Sequence, residues 1–162
     1  MKENPTDSWH AIVASAVDWR EAHATFDDAV AGLSVELRGR RPEHYPHSAW
    51  ELLEHIRVAQ VDLVAFMQDA SYSAPKWPDD YWPSDPAPPT DAAWDESVAA
   101  VRRDREILKT IATRSSLDLT TTIPWGDGQT YLRTILVTID HTAYHVGQLI
   151  AVRLLLGAWP AT

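Results

Sequence analysis

The clearest pattern of apolar positions lies near the end of the chain, in residues 130–157. Apolar side chains recur there at steps of three and four, the spacing that places them on one face of an α-helix. A second stripe at the same spacing runs beside the first and is mostly polar. The apolar stripe is Leu132, Ile135, Ile139, Ala143, Val146 and Ile150, and the second is Thr134, Thr138, His141, His145, Gln148 and Val152. A polar stripe beside a buried one predicts a long packed helix with a functional site on its polar side.

Three earlier segments also show helical spacing. Residues 7–37 keep the three-and-four pattern without a miss, which predicts one long helix that overhangs its partners or bends near Gly32. His23 falls in its apolar face, where a histidine with a polar partner is the simplest interpretation. The second helix, residues 48–70, opens with a capping box formed by Ser48 and Glu51. The third starts at residue 90 or 91 and runs to about residue 111.

Two connections carry structural signals of their own. Residues 71–90 hold six of the eleven prolines and cannot be regular structure. Their four aromatic residues predict an ordered loop that packs on the helices, either for packing alone or as the wall of a pocket formed by Trp82. Residues 117–129 predict an extended loop or a short hairpin. Trp125 is close enough to the last helix to cover one end of the bundle. His44 and His47, in the first connection, are most simply solvated.

Taken together, these elements predict a single all-α domain over residues 1–162, a four-helix bundle with a long Pro- and Trp-rich loop between its second and third helices. Lys and Arg total 14 against 23 Asp and Glu, a net charge of −9, which disfavours nucleic acid as a partner. Cysteine is absent, which excludes disulfides, thiolate ligands and a cysteine nucleophile. No apolar run approaches the 18 or so residues of a membrane span and no signal peptide is recognisable, so we expect a soluble, cytoplasmic protein.

Histidines supply the candidate chemistry. His141 and His145 stand four apart, so their Cβ atoms lie about 5–6 Å from each other on one helix face. Two imidazole nitrogens can reach one metal ion at about 2.0–2.1 Å from that separation, although hydrogen-bonded core residues or a half-exposed pair would show the same spacing. A third nitrogen could come from His55 on the second helix, where a lone histidine is usually structural.

Three imidazoles without a carboxylate would leave a coordination position open for water or substrate. Such a metal could lower the pKa of water, polarise an oxygen or hold a thiol as thiolate. Competing sites lack their motifs: the sequence contains no Glu-x-x-His pair, HExxH, P-loop, GxGxxG or G-x-S-x-G. Serine-hydrolase and nucleotide-binding interpretations therefore have no support.

The sequence SAWELLEHI, together with DHTAYHVGQLIAVRLLLG in the last helix, resembles the DinB/YfiT-like superfamily of metal-binding four-helix bundles. The resemblance spans essentially the whole chain. It implies that His55, His141 and His145 hold one divalent metal ion, with zinc or nickel expected first and iron as an alternative. Members of the superfamily include S-transferases and isomerases that use low-molecular-weight thiols such as bacillithiol or mycothiol, and many form homodimers.

We therefore expect a metal-dependent enzyme that transfers a thiol cofactor to a small electrophile. Gln148, Trp82 and Trp125 are the predicted substrate-binding residues, and Asp62 is predicted to orient His55. No residue is identifiable as a general base. The alternatives are a metal-dependent hydrolase, a non-catalytic metal-binding protein associated with stress, or three core histidines without a metal. An unperturbed histidine pKa of about 6.5 predicts that metal affinity falls once the pH drops through the low sixes.

Overall fold

The computed structural model of the protein describes residues 5–159. Within that part of the chain it contains α-helices, a single turn of 3₁₀-helix at Asp79–Tyr81, and no β-strand, so the predicted all-α class is confirmed. The helices are α1 (Pro5–Ala16), α2 (Phe26–Val30), α3 (Val35–Arg38), α4 (Ala49–Gln68), α5 (Asp91–Ala112) and α6 (Tyr131–Leu155).

The prediction of one helix over residues 7–37 is wrong, because the chain breaks into α1, α2 and α3. Helix α1 ends at Ala16, and a new helix starts after Thr25. Thr25 accepts a hydrogen bond from the Asp28 backbone N–H, and the Asp28 carboxylate accepts one from the Thr25 N–H. Such a reciprocal cap stabilises a helix that begins after Thr25. Gly32 then takes a positive φ of 65° after α2. His23 is consequently exposed, and its Nδ1 donates to its neighbour's carbonyl instead of lying in a core.

The other predicted helices are present, each with a side-chain cap at its start. Ser48 and Glu51 form the predicted capping box of α4. Thr90 accepts a hydrogen bond at the start of α5, and Thr130 does the same at the start of α6. Gly157, with a φ of 68°, follows the end of α6 as the sequence indicated. None of the helices described in residues 5–159 is long and apolar enough to cross a membrane.

Helix α4 lies at the centre of the packing, since it contacts both α5 and α6, while α1 packs on α5. The side of α6 that faces inward includes its polar stripe. Thr134 and Thr138 are buried, and each hydroxyl is satisfied by donating to the backbone carbonyl four residues earlier. Because this stripe faces α4, the histidines of α6 are directed at His55.

Candidate metal centre

Three histidines from two helices meet between α4 and α6. His55 and His145 are buried, with exposed fractions of 2% and 7%, and His141 is half-buried. The Nε2 atoms of His55 and His141 are 3.0 Å apart. The ring centroid of His145 lies 4.4 Å from each of the other two. Each residue offers one ring nitrogen, and these nitrogens all lie within 4.8 Å of one another.

Hydrogen bonds fix the orientation of two of the rings. His55 Nδ1 lies 2.9 Å from the backbone carbonyl oxygen of Tyr81. His145 Nδ1 lies 2.7 Å from Gln148 Oε1. An oxygen of either kind only accepts, so both Nδ1 atoms carry the proton and donate it. In a neutral imidazole the Nε2 atom then keeps its lone pair, which is the form that binds a metal.

The electrostatic surroundings keep the three rings neutral. Burial, followed by the proximity of His145 and His55, lowers the pKa of His141 to about 4. Burial and the proximity of His55 lower the pKa of His145 to about 4 as well. The pKa of His55 is also lowered, chiefly by burial. Neutral imidazoles are ready to bind a cation, because no proton has to be displaced at neutral pH.

The donor set fits a divalent metal ion. Two nitrogens bound to one ion at about 2.0–2.1 Å are no more than about 4 Å apart, so a spread of up to 4.8 Å needs only small ring rotations. No carboxylate belongs to this group among the described residues. Three neutral nitrogens suit zinc, nickel or iron and leave room for a further ligand from solution.

Trp82 forms part of the wall around His55. Its ring stacks on His55 at 3.8 Å between centroids and 5° between planes, and its other face stacks on His47 at 4.2 Å and 11°. The expectation that His47 is solvated is therefore wrong: it is half-buried against Trp82, and burial lowers its pKa. With both faces covered by imidazoles, Trp82 holds the His55 ring in place. Its edge is directed towards His145, 6.1 Å away between centroids.

A family model described as the DinB superfamily matches residues 18–149, a span that includes all three histidines. The chain belongs to the DinB superfamily. No curated protein and no solved structure matches it significantly. The buried group of three histidines in this DinB-superfamily protein fits a metal-binding site, as the resemblance implied.

The remaining predicted site residues of this DinB-superfamily protein lie at different distances from the histidines. Gln148 contacts His145 directly, and its role towards a substrate stays a prediction. Asp62 contacts the Tyr81 hydroxyl at 2.6 Å, so its link to His55 passes through the residue whose carbonyl holds that ring. Trp125 donates from Nε1 to the Phe66 carbonyl, 2.6 Å away near the end of α4. Phe66 is about 16 Å along the helix from His55.

Sequence reasoning missed the importance of Tyr81 in this DinB-superfamily protein. Tyr81 is buried and supplies two contacts, a carbonyl for His55 and a hydroxyl for Asp62. The concentration of aromatic residues in the proline-rich segment was the available signal. Nothing in the local sequence, however, shows which of those aromatics turns its backbone towards a histidine 26 residues earlier.

Proposed function

We propose that this protein is a divalent-metal-dependent enzyme that transfers a low-molecular-weight thiol to a small electrophile. The observation that carries the proposal is the convergence of three neutral imidazole nitrogens from α4 and α6 without a carboxylate among them. A metal ion bound by these residues would act as a Lewis acid that holds a thiol as its thiolate or lowers the pKa of a water molecule. Zinc or nickel is the proposed ion, with iron as the alternative.

In this proposal the protein's own side chains and backbone orient the imidazole rings and exclude water from them. The Tyr81 carbonyl and the Gln148 side chain hold the protons of two imidazoles on Nδ1. Trp82 covers one face of His55 and keeps water from it. A cleft that includes His141 in its wall opens beside the cluster and offers a place for the electrophile.

Two other functions use the same site. A hydrolase would activate water instead of a thiol, and a non-catalytic metal-binding protein would need no adjoining cleft. The cleft beside His141 supports an enzyme over a pure metal-binding protein. The cleft does not favour a thiol over water as the activated group, so a metal-dependent hydrolase is the second candidate function.

The assembly is a further part of the proposal. The four long helices α1, α4, α5 and α6 would serve as the bundle, in one domain. The outer face of α6 exposes large apolar side chains, which supports a homodimer formed through this helix. These residues are Leu136, Tyr144, Leu154 and Leu155. We also propose a cytoplasmic location, because low-molecular-weight thiols act in a reducing compartment.

The first experiment measures metal content by elemental analysis of protein purified without a histidine tag. We expect about one zinc or nickel ion per chain in the wild type and its loss in both His55→Ala and His145→Ala. The matched control is His44→Asn, which alters an exposed histidine that is not part of the cluster. Circular dichroism shows whether each variant is folded.

The second experiment tests the reaction on metal-loaded protein. Glutathione, cysteine and other low-molecular-weight thiols are offered with 1-chloro-2,4-dinitrobenzene as a general electrophile, and thioether formation is followed by absorbance. Wild-type protein should exceed metal-free protein and His145→Ala for at least one thiol. If the wild-type protein took up neither zinc nor nickel, the metal site would be disproved. If the metal-loaded protein were inactive with every thiol, the proposed thiol transfer would be wrong.

A further inference from the structure

The cleft beside the histidines has a defined chemical character. It has a volume of about 320 Å³ and lies between α4, the segment of residues 71–90 and α6. Its walls are mostly apolar, formed by side chains such as Leu63, Trp77 and Val137, and His141 marks the end next to the histidine cluster. Asp62 is the one acidic side chain in its described lining. The Asp62 carboxylate is half-buried and could pair with a positively charged group of a ligand in the cleft.

Asp62 has no partner of opposite charge in the part of the chain that the structure describes. Within residues 5–159, no Lys or Arg forms an ion pair with Asp62. The cations nearest in sequence are engaged elsewhere, because Arg57 pairs with Glu54 and Lys76 pairs with Asp79.

The neighbours of Asp62 are neutral hydrogen-bond donors. The Tyr81 hydroxyl donates to Asp62 Oδ2 at 2.6 Å. Burial and the Asp62 charge together raise the pKa of Tyr72 to about 12 and also raise the pKa of Tyr81. Both tyrosines therefore keep their protons at neutral pH. The described lining of the cleft therefore contains one carboxylate and no Lys or Arg.

The position of Asp62 sets a length as well as a charge. Asp62 follows His55 by seven residues on α4, which is about 10 Å along the helix axis. The cleft also presents aromatic surface, because the ring centroids of Trp77 and Tyr81 are 5.0 Å apart and two-thirds of Trp77 is exposed. Aromatic faces attract organic cations as well as apolar groups.

We propose that the cleft binds a substrate with an organic ammonium group at Asp62, an apolar middle along Trp77, and its reacting atom at the histidine cluster, about two turns of α4 away. This inference rests on the proposed function, which places the reaction at the three histidines. It adds a substrate class: elongated, partly apolar molecules that carry a single positive charge at the end opposite the electrophilic centre. The net charge of −9 would attract such molecules to the protein.

The test uses three probes of equal length and different charge, namely 4-phenylbutylamine, 4-phenylbutan-1-ol and 4-phenylbutyrate. Each is titrated calorimetrically into chelator-treated protein at pH 7, so that no metal ion can bind the amine. We expect wild type to bind the ammonium at least tenfold more tightly than the alcohol, and the carboxylate most weakly. Asp62→Asn should remove the preference for the ammonium, because the amide keeps the shape and can still accept from Tyr81 but has no charge.

Two further variants separate charge from shape. Asp79→Asn removes an equal charge from an exposed position outside the cleft and should keep the full preference. Trp77→Ala should weaken the ammonium and the alcohol alike, because it removes apolar wall and not the carboxylate. Equal binding of ammonium and alcohol by wild type, or no binding of either, would overturn the inference, as would a preference that survives Asp62→Asn. Metal content is measured separately, so its absence would count against the proposed function alone.

Discussion

Lowering the pH from 7 to 5 should destabilise the metal-free protein through its histidine cluster. Burial, with a smaller contribution from neighbouring histidines, lowers the pKa of His141 and of His145 to about 4. In the unfolded chain both have a pKa of about 6.5. Between these values the unfolded chain binds protons that the folded protein excludes, so the free energy of unfolding decreases as the pH falls. The stabilisation is complete above about pH 6.5 and is lost progressively towards pH 4.

The magnitude follows from the two pKa values. For one histidine with a pKa of 6.5 when unfolded and about 4 when folded, proton linkage gives a loss of about 2 kcal/mol between pH 7 and pH 5. His141 and His145 together would account for about 3–4 kcal/mol. Carboxyl groups contribute little to this difference, since their ordinary pKa values of about 4 lie below the window. A loss of this size is a large part of the stability of a typical domain.

Urea unfolding at pH 7 and pH 5, in the presence of a chelator, measures the effect. Wild type should lose at least about 3–4 kcal/mol between the two pH values, because the lowered pKa values of His55 and His47 add to the loss. His141→Asn should lose about 2 kcal/mol less than wild type. His44→Asn is the matched control, because His44 is exposed and has a φ of 63°, a conformation that asparagine tolerates. It should behave as wild type. If His141→Asn lost as much stability as wild type, the cluster would not be the source of the pH dependence.

Three further results are expected. The lowered pKa values of His141 and His145 should let the protein retain zinc down to about pH 5, whereas an ordinary histidine pKa predicts release in the low sixes. Competition with a chelator of known affinity measures this, and release of zinc near pH 6 would contradict it. Gln148→Leu should weaken zinc binding by about 10–100-fold, because His145 Nδ1 loses its acceptor, and an unchanged affinity would exclude that role. Arg153→Met should lower the free energy of unfolding by about 3 kcal/mol. The buried Arg153 guanidinium donates to the backbone carbonyls of Ala29, Ala31 and Ala158, which would lose this donor. In urea unfolding the exposed Arg133→Met should change little, and equal effects of the two Arg variants would refute the argument.

The sequence could predict what depends on neighbours along the chain. The spacing of His141 and His145 placed both rings on one face of α6, and Ser48 with Glu51 marked the start of α4, because helix periodicity and capping are local properties. The capping box of Thr25 and Asp28 at the start of α2 is equally local, but the apolar pattern of residues 7–37 continues across the gap between α1 and α2. Periodicity alone does not say whether successive turns belong to the same element.

Contacts between distant parts of the chain were decided only by the tertiary structure. The sequence by itself determined an acidic, cysteine-free, helical chain with a histidine pair at chelating distance, and the family resemblance added His55. It did not determine that Trp82 lies between His47 and His55, or that the Tyr81 backbone orients a metal-binding ring while its hydroxyl contacts Asp62. A helical pattern specifies which face is buried, but the partner of that face depends on how α4, α6 and an irregular loop pack together, and no local rule encodes that arrangement.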